Sequence, residues 1–166
     1  MSLSTNTARL ARVATRLVRR IRQAKVSPCC PETADYYGPM LSPDGSKLAV
    51  AIENNGLTDI WIIDIAHHTK TRITFGPQYS GAPVWWPDGE TIVFNYGPSG
   101  TMDSLYRQNA DGTGTKEKLL ETPGILVTPF SVSPDGRYIA YVRLDPKSKT
   151  NQDMAIESVT TSRATR

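Results

Sequence analysis

The sequence predicts an all-β fold, a partial β-propeller of about three four-stranded antiparallel blades, preceded by one basic amphipathic α-helix. Three observations predict it. A hairpin phrase recurs: Leu41-Ser42-Pro43-Asp44-Gly45-Ser46-Lys47-Leu48-Ala49-Val50, then Trp85-Trp86-Pro87-Asp88-Gly89-Glu90-Thr91-Ile92-Val93-Phe94, then Val132-Ser133-Pro134-Asp135-Gly136-Arg137-Tyr138-Ile139-Ala140-Tyr141. The copies are spaced by 44 residues (87 − 43) and 47 residues (134 − 87), the period of one propeller blade. Each turn is followed by five to seven residues rich in Val, Ile, Leu, Tyr and Phe, the composition of a buried or half-buried strand.

The turn has a physical grammar. Proline presets φ near −65° for the first central position, aspartate caps the turn through its own side chain, and glycine takes the left-handed conformation that closes it. Pro-Asp-Gly therefore joins two strands of one small sheet. In the first repeat, Tyr37–Leu41 leads through the turn into Lys47–Glu53, and Asn54-Asn55-Gly56 reverses the chain. Asp59–Asp64 is the third strand, and Thr71–Phe75 the fourth, after a polar turn at His67-His68-Thr69-Lys70. The second repeat gives Pro83–Trp86, Thr91–Tyr96, Ser104–Gln108 and Glu117–Leu120. The third gives Thr128–Val132, Tyr138–Arg143 and Asp153–Val159, without a fourth strand, because Thr160–Arg166 offers one alanine and no larger apolar residue. The blades span about 36–76, 82–121 and 128–159 within a repeat domain of 36–166.

Residues 1–35 differ in character. Leu10, Val13, Leu17, Ile21 and Ala24 follow the spacing of one apolar helical face from Thr5 to Lys25, and residues 26–38, with Pro28, Pro31 and Gly38, read as a linker. Seven basic residues against Glu32 and Asp35 give residues 1–35 a charge of +5, while the repeats, at 12 basic against 14 acidic, are mildly acidic. An arginine-rich amphipathic helix over 9–25 suits an anionic membrane surface or nucleic-acid phosphates; its plainer role is to dock on the repeat domain or on a second copy of it. The arginines also interrupt the stretch where a secretory apolar core would sit, which predicts a cytoplasmic protein. Adjacent Cys29 and Cys30 cannot staple the repeats and are either free thiols or inter-chain links.

At 166 residues, 39% hydrophobic and 21% charged, the composition is globular, and no run approaches the roughly 18 apolar residues of a membrane-spanning helix. Nucleophile-elbow, phosphate-loop and kinase motifs are missing, so no catalytic residue, metal or cofactor is expected. His67 and His68 lack Cys or carboxylate partners at ligand spacing and read as a solvated turn. Asp44, Asp88 and Asp135 are explained by their turns. The segment from Asp145 to Asp153 lacks the order of a calcium loop and reads as a long polar hairpin loop. Trp61, Trp85 and Trp86 read as packing between blades. Successive strand residues point to opposite sides, so one of Trp85 and Trp86 faces away from its neighbour, and an exposed tryptophan is a candidate binding hot spot. The candidate interaction surface is Trp85, Trp86, Arg16, Arg19 and Arg20.

The Ser-Pro-Asp-Gly hairpin, followed by Asp59-Ile60-Trp61-Ile62-Ile63-Asp64 and Thr71-Arg72-Ile73-Thr74-Phe75, resembles the TolB-type, WD-repeat-like β-propeller repeat over residues 36–159. Its wording is similar to the propellers that follow the kinase domain in some bacterial serine/threonine kinases, more than to those of prolyl-oligopeptidase-type peptidases or of TolB itself. The resemblance implies a non-catalytic module binding a protein or peptide, or, alternatively, a detached propeller segment of a larger bacterial enzyme that senses or gates. Propellers close with four to eight blades; two copies supply six blade equivalents, so a homodimer that completes the ring is expected.

Overall fold

The computed structural model describes residues 18–20, 26–28, 34–147 and 153–158. It is built of antiparallel strands. A short hairpin, β1 (Val18–Arg20) and β2 (Val26–Pro28), precedes three sheets. Blade 1 holds β3 (Tyr36–Leu41), β4 (Lys47–Asn54), β5 (Leu57–Asp64) and β6 (Thr69–Arg72). Blade 2 holds β7 (Tyr79–Trp85), β8 (Thr91–Gly97), β9 (Ser104–Asn109) and β10 (Glu117–Glu121). Blade 3 holds β11 (Leu126–Val132), β12 (Tyr138–Leu144) and β13 (Asp153–Ser158). In each sheet the strands lie in chain order. β7 touches both β3 and β11, so the first strands of the blades converge and the later ones fan outward.

One expectation lies largely outside the described residues, and one strand starts earlier than expected. Most of the helix expected over residues 5–25 lies outside the described residues. Within it Val18–Arg20 is extended and pairs with Val26–Pro28, Val18 opposite Pro28, so the described part of the segment meets its backbone hydrogen bonds across a hairpin; a β-branched valine favours that choice. The fourth strand of blade 1 begins at Thr69 rather than Thr71, because Asp64 closes the preceding turn one step earlier. Its carboxylate accepts from the Ala66 and His67 amides at 2.9 Å each, and His68 takes a positive φ of 55°.

Alternation along the strands divides each sheet into a leading face toward the next blade and a trailing face toward the previous one. Ala49, Ala51, Ile60, Ile62 and Ile73 on the leading side of blade 1 meet Trp85, Ile92 and Phe94 on the trailing side of blade 2. Small residues on β4 make room for the aromatic ring of fully buried Phe94. Tyr106 lies 6.5 Å from Phe94 and 5.1 Å edge-on from Tyr96, ring centre to ring centre. Blades 2 and 3 join through Val93, Leu105, Val127, Ile139 and Tyr141, and buried Asn95 donates across that seam to the Val127 carbonyl at 3.1 Å. The trailing face of blade 1 is filled as well: Val50 and Ile63 are 0% exposed, in one cluster with Tyr36, Leu48 and Ile52.

Candidate functional site

The three turn carboxylates are occupied by their own turns. Asp44 accepts from Ser42 Oγ at 2.6 Å, Ser46 Oγ at 2.7 Å and the Ser46 amide at 3.0 Å. The Ser42 hydroxyl leads these donors in holding its pKa down to about 2. Asp135 accepts from Ser133 Oγ at 2.6 Å and the Arg137 amide at 3.0 Å, and its pKa is lowered with the Ser133 hydroxyl as first cause. In blade 2 the serine is replaced by Trp86, and Asp88 turns instead to the Glu90 and Thr91 amides and to Thr91 Oγ1 at 2.8–2.9 Å. Hydrogen bonds of this kind favour the ionised carboxylate and bind it to the backbone two or three residues on.

The tryptophan pair splits as alternation requires. Trp85 is 6% exposed, lies in the seam between blades 1 and 2 and donates its indole N–H to the Met40 carbonyl at 2.8 Å. Trp86 points the other way, half-buried against blade 3, with the Arg107 guanidinium 5.5 Å from its ring centre. A Cβ on Gly136 would stand 2.8 Å from Trp86 Nε1. The two rings therefore clamp blade 2 to both neighbours, and of the two only Trp86 keeps surface for a ligand. Arg19 and Arg20 lie on β1; Arg16 lies outside the described residues. Trp61 is half-buried on the trailing face of blade 1 with Lys70 Nζ 5.3 Å above it. His67 Nδ1 sits 3.0 Å from Asp64 Oδ1, and among the described residues no three His, Cys, Asp or Glu side chains converge as a metal site does. Asp145 accepts from the Lys147 amide at 2.8 Å, a local turn; residues 148–152 of that loop lie outside the described residues.

The surface that sequence reasoning missed lies on the innermost strands. β3, β7 and β11 each carry a register shift, between Tyr37 and Met40, Gly81 and Val84, and Pro129 and Ser131. Each shift contains or abuts a proline: Pro39, Pro83 and Pro129. An edge strand tolerates a residue with no N–H, and a bulge bends the strand and re-aims its side chains. Beside these irregularities Tyr37, Leu41 and Phe130 stand exposed. The signal was present in the sequence: a proline four or five residues ahead of each turn proline (39 and 43, 83 and 87, 129 and 134).

Comparison with known proteins fits this architecture. The family model of the TolB beta propeller domain matches residues 17–165. The chain is 36% identical over 152 residues to the Tol-Pal system protein TolB of Gluconobacter oxydans, covering 64% of this chain and 33% of that protein. It is 31% identical over 128 residues to the uncharacterized peptidase YuxL of Bacillus subtilis, covering 69% of this chain and 19% of the peptidase. The chain thus spans about a third or less of these relatives. Among solved structures, a putative TolB from Agrobacterium tumefaciens superposes with a TM-score of 0.65 at 21% identity, over 82% of this chain and 53% of that one. A prolyl endopeptidase chain gives 0.64 at 19% identity, over 87% and 24%. At these identities the structural likeness shows the fold alone.

Proposed function

Because the chain belongs to the TolB β-propeller domain family, we propose that it is a non-catalytic binding module, cytoplasmic, whose inner strands present a recognition surface to a protein or peptide and whose blades are completed by association. One observation carries this reading. The first and third innermost strands are bulged edge strands bearing proline and exposed apolar side chains, Tyr37 and Leu41 on β3 and Phe130 on β11. Exposed apolar side chains along a bulged sheet edge are what an extended peptide recognises, its side chains filling the spaces between them. The carboxylates that recur most conspicuously, Asp44, Asp88 and Asp135, are engaged in turns, which supports structural rather than chemical work for them.

The test is selection from a displayed peptide library on the folded chain, followed by affinity measurement for the winners. Tyr37→Ser and Phe130→Ser should each weaken these peptides about tenfold. Winners indifferent to both substitutions would remove the inner strands as the recognition surface, and a library without specific winners would sink the binding reading.

A second reading is favoured by the short share of the relatives that the chain covers, 19% of the peptidase YuxL. It makes the blades a sensing or gating segment of a larger enzyme. That reading expects the chain to bind a separately produced catalytic domain from the same genome and to alter its rate.

A further inference from the structure

Five Asx-Gly steps lie on the described turns: Asp44-Gly45, Asn55-Gly56, Asp88-Gly89, Asp111-Gly112 and Asp135-Gly136. Four of them are held from both sides. The carboxylates of Asp44, Asp88, Asp111 and Asp135 each accept from the amide two residues on, and the glycine amides that follow them donate to the Ser42, Trp86, Asn109 and Ser133 carbonyls at 2.8–3.1 Å. Asn55-Gly56 has neither restraint. The two residues form the tip between β4 and β5, where Asn54 pairs with Leu57, and both are exposed. Among the described residues the Asn55 carboxamide has no hydrogen-bond partner and the Gly56 N–H donates to no carbonyl. Their φ values, +52° and +83°, are those of the mirror-image turn that a two-residue hairpin prefers, and a Cβ at Gly56 would meet nothing within 4 Å. One tie remains. The Tyr79 hydroxyl, at the start of β7, donates to the Gly56 carbonyl and fastens the tip to blade 2.

A free carboxamide beside an unshielded glycine amide is an acyl donor beside a nucleophile. We propose that Asn55 is a site of self-modification in the folded chain, where the Gly56 nitrogen converts the asparagine into aspartate or isoaspartate with water as the co-reactant. The Gly56 nitrogen attacks Asn55 Cγ; the new N–Cγ bond forms as the Cγ–Nδ2 bond breaks, and ammonia leaves with the proton that the Gly56 nitrogen held. Water then opens the cyclic imide. Cleavage between the nitrogen and Cγ gives aspartate, and cleavage between the nitrogen and the main-chain carbonyl gives isoaspartate. Reaching Cγ takes a rotation within the tip, which gives up the Tyr79 bond and the pairing of Asn54 with Leu57; opening of an exposed hairpin tip belongs to the low-stability end of a fold. The Asp-Gly steps would follow the same route with loss of water, but a carboxylate is a poorer acyl donor than an amide, and hydrogen bonds hold Asp44, Asp111 and Asp135 ionised. Either product adds a negative charge at the tip. Isoaspartate also lengthens the backbone by a methylene inside a two-residue turn and draws the Gly56 carbonyl off Tyr79, so this tie between blades 1 and 2 is lost as the chain ages.

The full chain is incubated folded at neutral pH and, in parallel, unfolded in urea, and is sampled by peptide mapping with electron-based fragmentation, which separates isoaspartate from aspartate. In the folded chain residue 55 should convert at a rate no more than about thirtyfold below that in urea, the cost of breaking about two hydrogen bonds. Isoaspartate at positions 44, 88, 111 and 135 should build up only in urea. Tyr79→Phe should speed the conversion in the folded chain about two- to tenfold. Asn55→Gly, which keeps a residue suited to positive φ, should abolish the mass gain with circular dichroism unchanged. A residue 55 that stays intact in the folded chain would overturn the proposal, and so would isoaspartate forming at the four Asp-Gly steps of the folded chain as fast as at residue 55. A Tyr79→Phe rate equal to the parent's would overturn the part assigned to the Tyr79 tie.

Discussion

Gly136 answers two demands at once. Its φ is +68°, in the region where a side chain costs about 1 kcal/mol or more, and a Cβ there would meet Trp86 Nε1 at 2.8 Å and Cε2 at 3.2 Å. Gly45, its counterpart in blade 1, has φ +72° with nothing within 4 Å of the added carbon. Gly45→Ala should therefore cost about 1 kcal/mol, and Gly136→Ala about 1–2 kcal/mol more, read from urea midpoints. Adding Trp86→Ser to Gly136→Ala should return most of that excess; strictly additive losses would mean that the ring does not press on the turn. Asp44 makes the second residue-scale prediction. Its folded pKa lies below the ordinary value of 3.8, so it stabilises the fold above the ordinary value, and that contribution is lost as pH falls through about 2. Ser42→Ala removes the leading cause, and the Asp44 carboxyl carbon, followed by NMR, should then titrate closer to the ordinary range.

At the scale of the strand, β5 and β6 are locked by an ion pair that is mostly buried. Arg72 Nη2 lies 2.6 Å from Asp59 Oδ2, Thr74 Oγ1 donates to Asp59 Oδ1 at 3.1 Å, and Thr74 Oγ1 accepts from the Ile60 amide at 2.9 Å. Asp59 is 3% exposed. Arg72→Met would leave that carboxylate with the threonine hydroxyl as its one described side-chain donor. The expected loss is about 3 kcal/mol in chemical denaturation, since an uncompensated buried charge is the costly outcome; a loss under about 1 kcal/mol would show that water reaches Asp59. Blade 2 has no such lock. Ser104 and Lys118 stand at the corresponding places, and the lysine pairs instead with Glu121 at 2.9 Å. The blades are therefore alike in outline and individual in how the fourth strand is held. Phe94→Ala, which empties the seam between blades 1 and 2, should cost about 3–5 kcal/mol.

For the molecule as a whole, order should decline from blade 1 to blade 3. Blade 1 has fully buried side chains on both faces, blade 2 is clamped on each side by Trp85 and Trp86, and blade 3 has a covered trailing face and, in β13, a strand with long exposed side chains. Amide exchange at low protein concentration should be slowest in β4, β5 and β8 and fastest in β13, where few buried apolar contacts oppose local opening.

The repeated phrase determined the strand order, the hairpin turns, three sheets rather than one, and the family, because each of those is set by local chemistry: a turn that Pro-Asp-Gly closes well, and alternation that a one-residue slip would invert. Burial of the tryptophans was legible only by half. Sequence alternation required Trp85 and Trp86 to point apart, but whether each side held a neighbouring blade or solvent depended on strands about 45 residues away in the chain. Exposure of Tyr37, Leu41 and Phe130, burial of Val50 and Ile63 on the trailing face of blade 1 and exposure of Met154 and Ile156 on β13 were decided by tertiary structure. The sequence gives Ile62 and Ile156 the same residue at the same repeat position; one is core and the other surface because one has a blade in front of it.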